Sequence, residues 1–488
     1  MSDAIVPEAA DPTTWSARRL TRALREREIS ATEALDAHLA RIETINLALN
    51  AVVVLDVEGA RRRAGEADEL AARVEDPAQL PPLHGLPMTH KDTHLVAGIR
   101  STSGSAVADH VPTADDLVVA RLRAAGANST GKNNVPEFAA GSHTFNELFG
   151  ATGNAFDPGL SAGGSSGGAA VAVATRMQAL ADGSDMGGSL RNPAAFNGVV
   201  GFRPSVGVVP VAPTRNAWAW LSRTGPIARD VADIALAMTV LAGPDPAVAY
   251  PCPVSGAEFA PLLRGAGDPG SAPLAGVRVG LTLDFGLGVP VEPEIRALVR
   301  AQADVLSDLG AHVEESCPSL RLADEVFDVT RAFDMALSLR ELVARHGEAV
   351  KADIHWNVER GLALSAGDLM DAAVARTRLR SRVDAWFETH DALLAPTTQV
   401  MPFPTQLRYP EQVDGVPMTS YVDWMRSCTL VSAMGGPAVS MPGGFVGGLP
   451  VGVQFVGPHG GDVRLLRTAQ AYERATGHAA VLPPLLGH

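Results

Sequence analysis

Three cysteines, Cys252, Cys317 and Cys428, are all that this chain of 488 residues contains. They lie far apart and form no CxxC spacing, so neither a disulfide framework nor a cysteine metal site can be built from them, and a reducing compartment is expected. Positive charge is also short, with 40 Lys and Arg against 54 Asp and Glu, a formal net charge of −14 at pH 7. An acidic surface repels phosphate backbones and anionic lipid, so neither nucleic acid nor a membrane is expected as a partner. No apolar run approaches the ~20 residues that span a bilayer. The first residues carry Asp3, Glu8 and Asp11, where a signal peptide needs positive charge followed by an apolar stretch. Internal repeats and low-complexity tails are missing too. These absences together predict a cytoplasmic protein, and a hydrophobic content of 46% is ample for a large core.

What is present is an alternation of helical and strand patterns. Ser30-Ala31-Thr32-Glu33 reads as a capping box, followed by Ala34, Leu35, Leu39, Ile42 and Ile45 at helical spacing. Further helices are predicted over 57–74, 115–125 and 292–309. Strands are predicted over 83–89, 276–283, 311–314, 392–395 and 451–456. Such alternation argues for an α/β layered fold. One unit over 1–488 is expected: a mainly helical part over 1–80, a core segment over 81–240 and a Pro/Gly/Ala-rich surface excursion over 241–275.

The chemistry is concentrated in two glycine-serine segments. Ser161-Ala162-Gly163-Gly164-Ser165-Ser166-Gly167-Gly168 is followed by Asp185-Met186-Gly187-Gly188-Ser189-Leu190-Arg191. Glycines around a serine let backbone N–H groups converge on one point, which is what an oxyanion hole requires. A serine nucleophile needs a base. None of the 13 histidines stands in a context that singles it out. Lysine serves only when burial or nearby charge keeps it neutral, and Lys91, after the apolar run 83–88, is a candidate.

These motifs resemble the amidase signature family. The likeness runs through Gly85-Leu86-Pro87, Lys91-Asp92, Gly131-Lys132, the two glycine-serine segments, Gly201-Phe202-Arg203-Pro204, Gly225-Pro226-Ile227-Ala228-Arg229, Gly436-Pro437-Ala438 and 449–454. The resemblance implies a large mixed, twisted sheet with helices on both faces. It implies a triad in which Ser189 is the nucleophile, and Ser165, on a cis peptide bond, relays protons to Lys91. The backbone N–H groups of Met186, Gly187, Gly188 and Ser189 would hold the oxyanion. Gly164, Ser166, Asp185 and Arg191 would support the loops. The chemistry needs no cofactor and no metal. The substrate would be a small-molecule amide, with aryl amides, carbamates and nylon-type oligoamides as variants, and a homodimer is common in the family. A second branch with the same triad is the ammonia-producing component of tRNA-dependent amidotransferases, although Tyr421-Val422-Asp423-Trp424 looks more like stand-alone amidases. Asn128-Ser129, Met186 and the stretch holding Trp218 and Trp220 depart from the family pattern.

Other motifs carry competing readings. Gly163-Gly164-Ser165-Ser166-Gly167 satisfies G-x-S-x-G, which would make Ser165 a nucleophile, but 157–161 cannot be the strand such an elbow must follow. Gly126 to Lys132 has phosphate-loop spacing, yet Asn133 replaces the required Ser or Thr and the loop follows a helix. His90 and His94 flank Lys91 with no evident third ligand, which points to packed histidines and not a metal site. Trp218 and Trp220 alternate, so on a strand they would share a face, either as core or as an aromatic wall for substrate.

Overall fold

Ser30 and Glu33 close the expected capping box at the start of the helix Ala31–Leu49, each side chain serving the other's backbone N–H. In the computed structural model, which describes residues 11–264 and 272–487, this helix is preceded by Ala17–Arg25 and followed by Val57–Arg73. Residues 265–271, within the 241–275 excursion, lie outside the described residues.

Two sheets carry the architecture. The smaller joins Val52–Leu55, Asn128–Asn133 and Pro87–Lys91, with Asn128–Asn133 central, antiparallel to the first and parallel to the last. The larger has eight strands in the order His312–Glu315, Arg278–Leu281, Ala392–Pro396, Leu449–Val456, Ala438–Val446, Val200–Arg203, Arg223–Ala228, Leu180–Asp185. Its first three strands are parallel and the others antiparallel, so the sheet is mixed. Helices cover both faces, as alternate positions of one strand demonstrate. A Cβ at Gly452 would strike Ala195 of the helix Arg191–Phe196. The next residue, Val453, lies beside Leu298 of Pro293–Asp308, and Phe455 packs edge-on against Tyr472 of Asp462–Thr476. The α/β expectation therefore holds.

The strand leading to Lys91 begins later than its apolar run. Residues 82–85 form a turn, in which Gly85 takes φ +67° and the N–H of Leu83 donates to the Ala125 carbonyl, and the strand is Pro87–Lys91. The glycine-serine region holds the helix Gly167–Ala174, every residue of which is buried. A helix buried all round has no polar face and so no periodicity to read.

Candidate active site

Lys91 is the last residue of its strand and has no exposed surface. Its Nζ lies 2.7 Å from Ser165 Oγ, 2.9 Å from Ser184 Oγ and 3.3 Å from the Ser184 carbonyl. Burial pushes the ammonium down to about pKa 7, although the carboxylates of Asp185 and Asp182 pull the other way. Asp182 and Ser184 sit two apart on the strand Leu180–Asp185 and so share a face, and both meet Lys91. Asp182 Oδ1 accepts the Lys91 backbone N–H at 2.9 Å and the Nδ1 of His94 lies 3.0 Å away, while His90 Nδ1 bonds to Oδ2. Burial would raise the Asp182 carboxyl, but the two histidines hold it well below the usual range. His90 and His94 thus belong to a carboxylate network, and no cluster of three metal-ligating side chains occurs among the described residues.

Ser165 follows a cis peptide bond, Gly164–Ser165. The surrounding turn is held by Ser142 Oγ, which donates to the Gly164 carbonyl at 2.6 Å, and Thr144 Oγ1, which donates to Gly163 at 2.8 Å. A Cβ at Gly167 would lie 2.3 Å from Thr144 Oγ1, so that position must be bare. Ser166 ties the two segments together, since its N–H donates to the Ser189 carbonyl at 3.2 Å.

Asp185 organises the Ser189 loop. Its Oδ1 accepts from the N–H of Gly188 (2.8 Å) and Arg191 Nη2 (3.0 Å), and its Oδ2 from the N–H of Leu190 (3.2 Å) and Arg191 Nε (3.0 Å). Arg203 Nη1 adds a further contact to Oδ1 at 3.3 Å. Burial opposes ionisation here, yet the two guanidinium groups keep this carboxyl far below its ordinary value.

Ser165, Ser184 and Ser189 line one cavity of about 140 Å³ together with Met186, Gly187, Phe138, Met335, Tyr421 and Met425. Arg331 also borders it, but its guanidinium is engaged by the Asn357 side chain and the Tyr421 hydroxyl. Met186, Ser222 and Met335 continue into a neighbouring cavity of about 250 Å³.

Two expectations need correction. The N–H of Gly188 is spent on Asp185, so it is not free for an oxyanion. Trp218 and Trp220 lie in an irregular segment and not on a strand, and both border a separate surface cavity. Trp218 is 63% exposed, whereas Trp220 is buried beneath the Arg376 guanidinium, 3.9 Å from its ring. Neither lines the cavity of Ser189. Among the other motifs, Lys132 is buried, with its Nζ on the His94 carbonyl and Ser101 Oγ, and is not presented to a phosphate. Sequence reasoning passed over Ser184 and Asp182, which strand alternation across 180–185 could have flagged, and Arg331, Asn357 and Tyr421, which only tertiary packing brings together.

Comparison with known proteins agrees with this geometry. The Amidase family model matches residues 33–466. The chain is 36% identical to a glutamyl-tRNA(Gln) amidotransferase subunit of Symbiobacterium thermophilum, over 96% of this chain and 98% of that protein. It is 34% identical to an acylamidase of Rhodococcus erythropolis, over 94% of each. The crystal structure of a bacterial aryl acylamidase of the amidase signature family superposes with a TM-score of 0.88 at 28% identity, covering 97% of this chain and 99% of that one. With the buried lysine, the two serine loops and the mixed sheet all in place, the chain belongs to the amidase family and is a serine hydrolase of amides.

Proposed function

We propose that the chain is a stand-alone amidase that forms an acyl-enzyme on Ser189, with Ser165 and Lys91 as its proton relay. The observation that carries this reading is the 2.7 Å approach of Lys91 Nζ to Ser165 Oγ, inside a setting that brings the amine down to about pKa 7. Neutral Lys91 takes the proton of Ser165, which takes that of Ser189 as its Oγ attacks the amide carbonyl. The N–H groups of Met186, Gly187 and Ser189 receive the charge that develops on the carbonyl oxygen. Ser165 returns the proton to the leaving nitrogen, the C–N bond breaks, and water releases the acid through the same relay.

The cavity walls favour an apolar acyl or aryl group, with Phe138, Met186, Met335 and Met425 around the serine. Small and medium amides are the substrate class, and carbamates are the first variant, because they present the same carbonyl beside nitrogen. Three free cysteines are in keeping with a cytoplasmic enzyme. No described helix is long and apolar enough to cross a membrane.

The likeness to an amidotransferase component supports a second reading, a glutaminase that passes ammonia to a partner. Against it, Arg331, the guanidinium bordering the Ser189 cavity, already donates to the Asn357 side chain and the Tyr421 hydroxyl, and a glutamine carboxylate would have to compete with both. Intact-protein mass spectrometry after fluorophosphonate treatment, with peptide mapping, tests the main reading. A single adduct on Ser189, lost in Ser189→Ala, is expected, followed by turnover of a panel of amides, esters and carbamates. An adduct on Ser165 would overturn the mechanism, and glutaminase activity that appears only with co-purifying proteins would favour the second reading.

A further inference from the structure

Three buried arginines converge on a single carboxylate at the edge of the active site. In the register of the large sheet Arg223 stands directly opposite Asp185. Asp185 is already saturated by two backbone N–H groups, Arg191 and Arg203. The other buried acid near Arg223, Asp462, accepts from the N–H and Oγ of Ser205. Arg223 is therefore left over. It is 4% exposed, its Nη1 donates to the Ser222 carbonyl at 3.0 Å, and its Nε and Nη2 have no hydrogen-bond partner. A guanidinium is not deprotonated in proteins, and a buried cation with unmade hydrogen bonds is strongly unfavourable.

Arg223 lines the cavity of about 250 Å³ that meets the Ser189 cavity at Met186 and Ser222. Val206, Val209 and Ala219 are among its apolar walls, and the other guanidinium in its lining, Arg215, is exposed and paired with Glu341. Asp334 also lines the cavity, hydrogen-bonded to the Asn216 side chain, and no ion pair joins it to Arg223 among the described residues.

We propose that this second cavity is a substrate subsite for an anionic group, and that Arg223 recognises a carboxylate carried by the amide substrate. This rests on the assignment of Ser189 as nucleophile. A carboxylate matches the fork of donors on a guanidinium, and a bound one would complete the bonds that Asp185 cannot supply. The chain's net charge of −14 gives anions no general attraction, so a local guanidinium has to supply the selectivity.

The test compares hexananilide with adipic acid monoanilide and 4-(hexanoylamino)benzoate, which place a carboxylate on the acyl or the amine side. Wild type is expected to prefer one of the two carboxylates in kcat/KM, and Arg223→Gln to lower the carboxylate-to-neutral ratio by roughly 10–100-fold. Arg223→Lys should restore part of that ratio. If these variants do not fold, the wild-type enzyme answers the same question: adipate should inhibit hexananilide hydrolysis competitively and the neutral 1,6-hexanediol should not. Equal losses on neutral and charged substrates, or hydrolysis of hexananilide with no carboxylate preference and no inhibition by adipate, would overturn the subsite. The absence of any Ser189 adduct would instead overturn the reading beneath it.

Discussion

The backbone N–H of Lys91 donates to Asp182 Oδ1 at 2.9 Å, and the same carboxylate holds His94 and His90. One buried acid thus fixes the main chain of the lysine whose side chain reaches Ser165 and Ser184. It also sets part of the field in which that lysine titrates. Burial favours the neutral amine, and the charges of Asp185 and Asp182 favour the ammonium. The proposed relay requires the neutral form, so on that reading the balance between these effects sets the pH at which it works.

The first prediction follows from that balance. Lys91 is lowered to about pKa 7, so kcat/KM should rise with pH through about 7 and level off above it. Asp182→Asn removes a charge that favours the ammonium, and should move the rising limb to lower pH. A profile flat from pH 5.5 to 9, with the chemical step shown to be rate-limiting, would remove Lys91 from the mechanism. Lys91→Ala should reduce kcat by about 10²–10⁴, the range for a lost general base.

Stability should move the other way. The folded-state pKa of Lys91, about 7, lies below its unfolded value near 10.5, so the unfolded chain binds the extra proton. This group therefore weakens the fold fully below about pH 7, and the penalty fades as pH rises toward 10.5. At 1.36 kcal/mol per pKa unit the penalty is on the order of 5 kcal/mol. The three hydrogen bonds to Ser165 Oγ, Ser184 Oγ and the Ser184 carbonyl return about 1 kcal/mol each. Lys91→Met should consequently raise unfolding free energy at pH 7 by ~2 kcal/mol while lowering kcat as Lys91→Ala does, with the gain shrinking as pH rises above 7 and gone by about pH 9. Urea denaturation at both pH values checks the sign, and a less stable Lys91→Met at pH 7 would contradict it.

The cluster at Asp185 gives the opposite kind of prediction. Arg191 makes five hydrogen bonds there, two to Asp185 and one each to Gln454, Ser432 and the Cys428 carbonyl. Arg191→Met leaves a buried carboxylate with a weakened partner set, and should destabilise the protein by roughly 3–5 kcal/mol. Activity should fall with it, since the same carboxylate positions Gly188 and Leu190 around Ser189. Thermal unfolding and kcat measured on one preparation distinguish this from Ser189→Ala, which should abolish turnover with little effect on melting.

How far the sequence could be read depended on whether the signal was local. Ser30 and Glu33 satisfy each other three residues apart, and the capping box stood out at once. The two serine loops stood out because glycine spacing records tight backbone geometry directly, whereas Lys91 was only one candidate after its apolar run until the family resemblance singled it out. The apolar run at 83–89 misled, because Gly85 turns the chain before the strand starts at Pro87. Of the two readings open for Trp218 and Trp220, core packing fits Trp220, which is buried, while the alternation itself carries no information because the segment is not a strand. Asp182 shows a different limit: alternation across 180–185 puts it on one face with Ser184, but its partners His90 and His94 lie some 90 residues earlier, and only the packing of the two sheets brings them to it. The surplus of Arg223 is subtler still. It emerges only once every lone pair of Asp185 has been assigned.

The last prediction concerns Gly188, which has φ +118°, and where a Cβ would lie 2.7 Å from Asn192 Nδ2 and 2.7 Å from the Cβ of Cys428. Cys428 belongs to the buried helix Arg426–Met434 and cannot retreat as a flexible side-chain tip would. Gly188→Ala must therefore push the loop outward, and the loop carries both Ser189 and the N–H groups proposed to hold the oxyanion. A loss of about 10²–10³ in kcat is expected, the effect of one misplaced oxyanion donor. Gly447 provides the control: it too has positive φ, at +57°, but a Cβ there meets nothing within 4 Å. Gly447→Ala bears the conformational penalty alone, about 1–2 kcal/mol, and should leave kcat unchanged. If both variants lose stability alike and neither loses activity, the Ser189 loop has more freedom than its packing implies, and the oxyanion donors must lie elsewhere.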